Sequence, residues 1–462
     1  MPAPGQARAR FLGQLNRREW LRVGGLGAGG LVLPELLRAN VRADGGDRFF
    51  GRAKACILCF MWGGQPHQDL YDLKPDAPVE LRGEFRPISS RVPGTQLGEM
   101  IPQIAERADR FALVRSVTHP DSTHTVAMHY MMTGHRHRRP TTNPMNASDD
   151  FPCFGSVMKK LRPSDTELPS GISLNAPGLE IPLGHIFPGF FGGFLGSGYD
   201  PMFIIDDPSA DEFQPLRPIE GVTTARLRRR ASLLAQFDTF RRRHDSNALV
   251  QSANSFQARA LSLVTSADAG RALDLTQEPQ AVRDRFGKSP FGQGCLLARR
   301  LVEAGVKLVT VNWTRTYQPG IADLWDTHAR QFPLLRERLC PTFDTGFSAL
   351  LDDLQQRGLL DQTLVVVMGE FGRTPQINKK GGRDHWAGCH SVLLAGGGIR
   401  GGALHGASDR LAAWPTRNPV SPEDISATMY HALGVPIRTK LVDHTGQPYS
   451  LSTGNPLLEL FG

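Results

Sequence analysis

The chain has 462 residues, of which 40% are hydrophobic and 21% charged. That composition excludes fibrous and broadly disordered proteins and is long enough for one large α/β domain or two smaller ones. The net charge of +8 does not indicate a nucleic-acid partner: residues 1–43 hold Arg8, Arg10, Arg17, Arg18, Arg22, Arg38 and Arg42 against Glu19 and Glu35, a net of +5, and leave about +3 for the remainder.

Twin arginines in NRREWLR (16–22) precede an apolar, Gly-rich stretch, VGGLGAGGLVLPELL, that ends in small residues near Ala43. The order basic, apolar, small resembles a twin-arginine export signal, which predicts periplasmic or envelope localisation and the twin-arginine translocation machinery as a partner. At about 15 residues the apolar stretch is shorter than the roughly 20 needed to span a bilayer, and no other segment qualifies as a span. Residues 44–462 are expected to form a single domain with a loop-rich insertion near 140–220.

The run ACILCFMW (55–62) predicts a buried strand, broken by Gly63 and Gly64. Its Cys56 and Cys59 lack the turn and helix start of a redox or metal C-x-x-C, and read as strand thiols; six scattered cysteines make no disulfide framework. His67, Asp69 and Asp72 follow the strand. Asp69 is the preferred metal ligand, whereas Asp72 before Lys74-Pro75 reads as a turn cap. A further strand, Phe111–Val117, runs into THPDSTHTVAMHYMMTGHRH, where five His fall within 19 residues. Any one of them is ordinarily a core or solvated histidine. Together, after a strand, they point to a site, with His119 and His124 the strongest members and a helix beginning near Thr125.

Residues 150–220 are rich in Pro and Gly with little periodicity, and read as loops over the core or a site. The basic, amphipathic 224–264 reads as helix with a solvated face. FGQGCLLARRLVEAG (291–305) predicts a helix with a Gly stop, followed by the strand VKLVTVNW (306–313). A loop then presents Asp326 and His328 in WDTH. A helix over Thr345–Gly358 leads through GLLDQT to the strand Thr363–Met368, a crossover typical of parallel sheets. This strand stops at Gly369. Glu370 and Arg373 follow at its end, and Asp384 and His385 return after a Gly-Lys-rich loop. Ser391–Gly398 is one more strand, and Ser421 with Asp424 caps a closing helix.

Four strands thus end beside polar residues, where ligands gather in open α/β sheets. Imidazole and carboxylate groups without thiolate suit one or two divalent ions, Zn, Mn, Mg or Ca, with Asp69, Asp326, His328, Glu370, Asp384 and His385 as candidate ligands. Paired ions can clamp the oxygens of a phosphoryl or sulfuryl ester. Arg373 and His119 are candidate substrate-binding groups, Arg373 as a bidentate anion clamp; an ion pair with Glu370 is the equal alternative for Arg373.

ALLDDLQQRGLLDQTLVVVMGEFG resembles the helix, turn and strand that deliver metal ligands in the sulfatase and alkaline-phosphatase superfamily, with Glu370 in the place of the first carboxylate. SPEDISATMYHALGVPI resembles that superfamily's closing helix, and HTVAMHYMMTGH the helix that follows its nucleophile. More closely, the twin-arginine start, LARRLVEAG with WDTH, GEFGRTP and GGRDHW resemble the DUF1501 family of exported proteins. The resemblance implies a three-layer αβα sandwich with a largely parallel central sheet. It also implies metal-dependent hydrolysis of a phosphate or sulfate ester on a small molecule or polysaccharide. One departure stands out: the formylglycine precursor of sulfatases is absent, and His124 occupies its place. Attack then falls to Thr125 or Ser122, to a water activated by metal, or to His124 itself, unless His124 is a ligand. A non-catalytic metal- or ligand-binding envelope protein, or a purely structural one, is the alternative.

Overall fold

A computed structural model describes residues 48–140, 143–175, 186–216, 226, 229, 260–313 and 324–462. The twin-arginine segment and nearly all of 224–264 lie outside the described residues. The apolar runs become strands β1 (Ala55–Phe60), β2 (Phe111–Val117), β3 (Gly171–Leu174), β4 (Met202–Ile204), β5 (Leu308–Asn312), β6 (Thr363–Met368), β7 (His390–Ala395) and β8 (Leu404–His405). They form one eight-stranded sheet in the order β8-β2-β7-β6-β1-β5-β3-β4. Only β7 runs against its neighbours; every other pairing is parallel. All six positions of β1, β6 and β7 are buried, so both faces of the sheet are covered, and these runs show no polar alternation. The fold is α/β, with a largely parallel central sheet between helical layers.

The longer helices are α1 (His124–Thr133), α2 (Phe154–Leu161), α3 (Pro290–Glu303), α4 (Cys340–Gln356) and α5 (Pro422–Ala432). Ser289 caps α3 through the Gly292 amide, and Ser421 and Asp424 form a reciprocal capping box on α5. α4 begins earlier than its sequence pattern suggests, with Pro341 in its first turn, where a missing N–H is tolerated. Among the described residues no helix is long and apolar enough to cross a membrane.

The 140–220 region is not only loop. Its described parts include α2 and the short strands β3 and β4, which extend the main sheet beyond β5. Strands of three or four residues are too short to display a period in sequence, so their pairing is visible only in three dimensions.

Strand register fixes where the site must lie. Phe60 pairs with both Asn312 of β5 and Met368 of β6, so three parallel strands end level with one another. β2 runs the same way, because both it and β6 oppose β7. Four chain exits therefore open along one sheet edge.

Away from that edge, Arg299 of α3 is fully buried and ion-paired to Glu278 (2.9 Å), Glu303 (2.8 Å) and Asp353 of α4 (2.7 Å). Arg299→Met would remove the fully buried cation but leave Glu278 paired with Arg300 and Arg357 and Asp353 with Arg357, so the cost should be that of unmade charged hydrogen bonds, about 1–3 kcal/mol. Urea denaturation of this variant should show that loss. Burial alone would raise the Glu278 carboxyl, but hydrogen bonds and charge from Arg300 and Arg299 outweigh it and hold the group below its ordinary 4.5. A depressed carboxyl stabilises the fold above its unfolded value, so this contribution should be lost as pH falls below about 4.5.

Candidate metal centre

Each exit contributes one part. After β1, Gly63 takes φ +103°, and a Cβ there would stand 2.2 Å from the Asp326 amide nitrogen, so only glycine lets the β1 exit pack against the 325–328 turn. The fully buried Trp325 donates its amide to the Trp62 carbonyl (3.1 Å), which anchors that turn. The His328 amide then donates to the Asp326 carbonyl at 3.1 Å. An extended D-x-H would alternate sides; this tight turn brings Asp326 Oδ1 and His328 Nε2 to 3.1 Å. His385 arrives on a two-residue ribbon, His385–Trp386 against Gly372–Arg373, and its Nε2 also stands 3.1 Å from Asp326 Oδ1. His124, the first residue of α1, places Nε2 3.4 Å from Asp326 Oδ2.

The far side of each ring decides what the near side offers. His124 Nδ1 donates to Glu370 Oε1 at 2.6 Å, and Glu370 is held by the Gly63 amide at 2.9 and 3.1 Å. His328 Nδ1 donates to Asp384 Oδ1 at 2.7 Å. His385 Nδ1 donates to the Ser122 carbonyl at 2.9 Å. With all three Nδ1 protons engaged, a neutral ring must present an Nε2 lone pair. Three such lone pairs face one carboxylate. Two of them, on His328 and His385, are only 2.9 Å apart, a contact that requires positive charge between them.

Without a metal ion, a proton is favoured on His124, on the other side of Asp326. Burial favours neutral His124, but hydrogen bonds to Asp326 and Glu370 and their charges prevail and raise its pKa to about 9. For Asp326, burial is likewise outweighed by the hydrogen bonds of His124 and His385 and the Arg373 charge, which hold its carboxyl far below the usual range. Burial, opposed by the Asp326 hydrogen bond, keeps His385 below its ordinary value and so neutral. Ligand atoms on a tetrahedral zinc ion stand about 3.3 Å apart when metal–ligand distances are roughly 2.0–2.1 Å. Asp326 Oδ1, His328 Nε2 and His385 Nε2 are spaced 2.9–3.1 Å apart, near that figure, and His124 Nε2 stands 3.4 Å from the other carboxylate oxygen. His124, Asp326 and His385 each offer an atom within 4.8 Å of the other two.

Several residues singled out in the sequence sit elsewhere. Asp69 is not in the cluster: its carboxylate is fully buried against Arg383 and Gln331. Glu370 stands behind His124 rather than facing the centre, with both oxygens occupied. Asp384 stands behind His328 in the same way and also accepts from Asn378 at 3.2 Å. Arg373 is fully buried and pairs with Asp326 at 2.6 Å, not with Glu370. Its other donors go to the carbonyls of Gly63, Gly64 and Arg383, so it is not an exposed anion clamp. His119 is buried, hydrogen-bonded through Nε2 to the Glu370 carbonyl at 2.8 Å, and supports the exit of β6 instead of meeting solvent. Thr125 is buried, and Ser122 accepts from the Ala387 amide at 3.3 Å. Asp72 is structural, paired with Lys74 and Arg115. Sequence reading missed Asn378, Gln331 and Arg383, polar residues whose only signal was their closeness to the two D-H pairs.

Residues 53–461 match the family described as a protein of unknown function, DUF1501. The chain belongs to the DUF1501 family. No curated protein matches the sequence. Similar solved structures include the lipoteichoic acid synthase LtaP from Listeria monocytogenes, with 12% identity, coverage of 88% of this chain and 76% of that one, and a TM-score of 0.36. The phosphonate monoester hydrolase SpPMH from Silicibacter pomeroyi has 13% identity, coverage of 87% and 75%, and a TM-score of 0.35. The PsFucS1 sulfatase from Pseudoalteromonas sp. has 12% identity, coverage of 86% and 70%, and a TM-score of 0.37. In this DUF1501 chain the centre is therefore described by its own geometry.

Proposed function

We propose that this DUF1501 protein is an exported hydrolase of phosphate or sulfate esters that works with one divalent metal ion. The observation that carries the metal is the convergence of the Nε2 atoms of His124, His328 and His385 on Asp326, each ring fixed from behind through Nδ1. Imidazoles with one carboxylate fit zinc better than magnesium or calcium, which favour all-oxygen sites. Three donors within reach of one another, on His124, Asp326 and His385, fit one ion with a position left open for water better than they fit two ions. The ester class is supported by the resemblance of the β6 and α5 segments to the sulfatase and alkaline-phosphatase superfamily. Export rests on the twin-arginine segment, whose translocation machinery carries folded chains and so permits metal loading beforehand.

An ion held there supplies Lewis acidity toward a phosphoryl or sulfuryl oxygen and lowers the pKa of water at the site. The chain's own residues do the rest. Glu370 and Asp384 hold the Nδ1 protons of His124 and His328, which fixes the tautomer and raises the basicity of Nε2. Arg373 pins Asp326 from below. Phe371 packs 5.1 Å from the His124 ring and 4.5 Å from the His385 ring and keeps water from their inner faces. With Thr125 buried and His124 in the ligand set, water is the attacking group on a small-molecule or polysaccharide ester.

Purified protein loaded with zinc or manganese should turn over an aryl phosphate, a phosphodiester or an aryl sulfate, and chelation should abolish that turnover. Ser122→Ala and Thr125→Ala should each retain it. Stoichiometric metal with no turnover on any of these substrates would instead support a non-catalytic binding protein. The engagement of every Arg373 nitrogen with protein acceptors favours this second reading.

A further inference from the structure

Asp69 has a different task from the one its place after β1 suggests. Its Oδ2 accepts from Arg383 Nε and from Gln331 Nε2, both at 2.8 Å, and its Oδ1 accepts from Arg383 Nη2 at 3.0 Å. Gln331 Oε1 accepts from Thr327 Oγ1 at 2.7 Å, and the Arg383 amide donates to the Thr327 carbonyl at 3.1 Å. Thr327 lies between Asp326 and His328; Arg383 immediately precedes Asp384 and His385. One buried carboxylate thus ties together the two loops that carry Asp326, His328 and His385.

Those loops also touch directly. The Arg330 amide donates to the Lys380 carbonyl (3.0 Å), the Gln331 amide to the Gly381 carbonyl (2.9 Å) and Asn378 Nδ2 to the His328 carbonyl (2.9 Å). A Cβ on Gly382 would fall 2.3 Å from the His328 carbonyl carbon, so the approach tolerates only glycine. The remaining Arg383 donors meet the carbonyls of Leu81, Thr374 and Pro375. Both partners are fully buried. A buried ion pair gives up about as much in desolvation as its attraction returns, so an apolar pair of similar volume would hold the fold equally well. What an apolar pair could not supply is direction: the planar guanidinium and the carboxylate fix each other's orientation through a two-point contact.

We propose that the Asp69–Arg383 pair positions the metal centre, holding the 325–331 and 378–386 loops at the separation that brings the Nε2 atoms of His328 and His385 together on Asp326. The consequence for metal rests on the function proposed above; the ordering of the loops does not.

Two variants test it: Arg383→Lys, which keeps the charge and loses the fork, and Asp69→Leu with Arg383→Met, which removes both charges. Hydrogen exchange of the metal-free proteins should accelerate at least tenfold in 325–331 and 378–386, with β1, β5 and β6 unchanged. Zinc affinity by chelator competition should fall about 10–100-fold, the usual effect of losing support behind a ligand. If Arg383→Lys fails to fold, the double variant is read in the same way. Parental exchange in both loops, or parental zinc affinity despite faster exchange, would overturn the proposal. A parent that takes up no zinc while the variants still loosen both loops would sink the metal reading and leave the loop-positioning role standing.

Discussion

Asp326→Asn will leave the protein without stoichiometric metal and will also weaken the fold. Both effects come from one carboxylate. Asp326 Oδ1 stands 3.1 Å from two imidazole nitrogens and 2.6 Å from Arg373 Nη2. An amide of the same shape offers no charge to a cation, and its NH2 group turned toward Arg373 would set donor against donor. Arg373 is fully buried, so the loss strands a buried guanidinium, a change that costs about 3–5 kcal/mol. Elemental analysis should find the variant metal-free, and urea denaturation of the metal-free parent and variant should give the stability difference. A variant that retains one equivalent of zinc would show that the ion is held elsewhere. If metal is lost with parental stability, Arg373 is satisfied by its three carbonyl partners alone.

Metal affinity will rise with pH, by about tenfold per unit and roughly 100-fold between pH 6 and 8, because His124 must release one proton before its Nε2 can serve as a ligand. The raised pKa of about 9 sets that window. Its sign is opposite for the metal-free fold: the protonated ring stabilises that form fully below the ordinary value of 6.5, and the contribution is lost as pH rises through 9. Loaded protein should therefore gain stability over the range in which empty protein loses it. Glu370→Gln removes the charge behind Nδ1. The slope should flatten, since His124 then holds its proton less tightly, and affinity at pH 8 should drop about 10–100-fold. Chelator competition at half-unit steps of pH would measure both. A parent with no pH slope below 9 would mean that no proton is displaced and that His124 is not a ligand.

Much of the architecture could be read from local pattern. β2 and β6 have the bounds their apolar runs suggest, and β1, β5 and β7 lie within a few residues of theirs, because a strand covered on both faces has no choice but to be apolar throughout. Glycines at the exits and D-H pairs beyond them marked where the polar residues would gather. The short strands β3 and β4 were not legible, for want of length. Nor was the division of labour among the carboxylates. Asp69, Glu370 and Asp384 look alike in sequence, each an acid just beyond an apolar run or beside a histidine.

By itself, then, the sequence determined the family, the α/β class, the sheet edge at which the site lies, and the imidazoles and carboxylates available to it. The tertiary structure decided which of them face inward. Glu370 stands behind His124 across 246 residues, is held there by an amide 307 residues away, and Asp69 meets Arg383 across 314. The physical reason is that apolar periodicity is a property of neighbours along the chain, whereas the role of a carboxylate is set by the proton donors around it. Those donors are delivered by level strand ends that only the assembled sheet brings side by side.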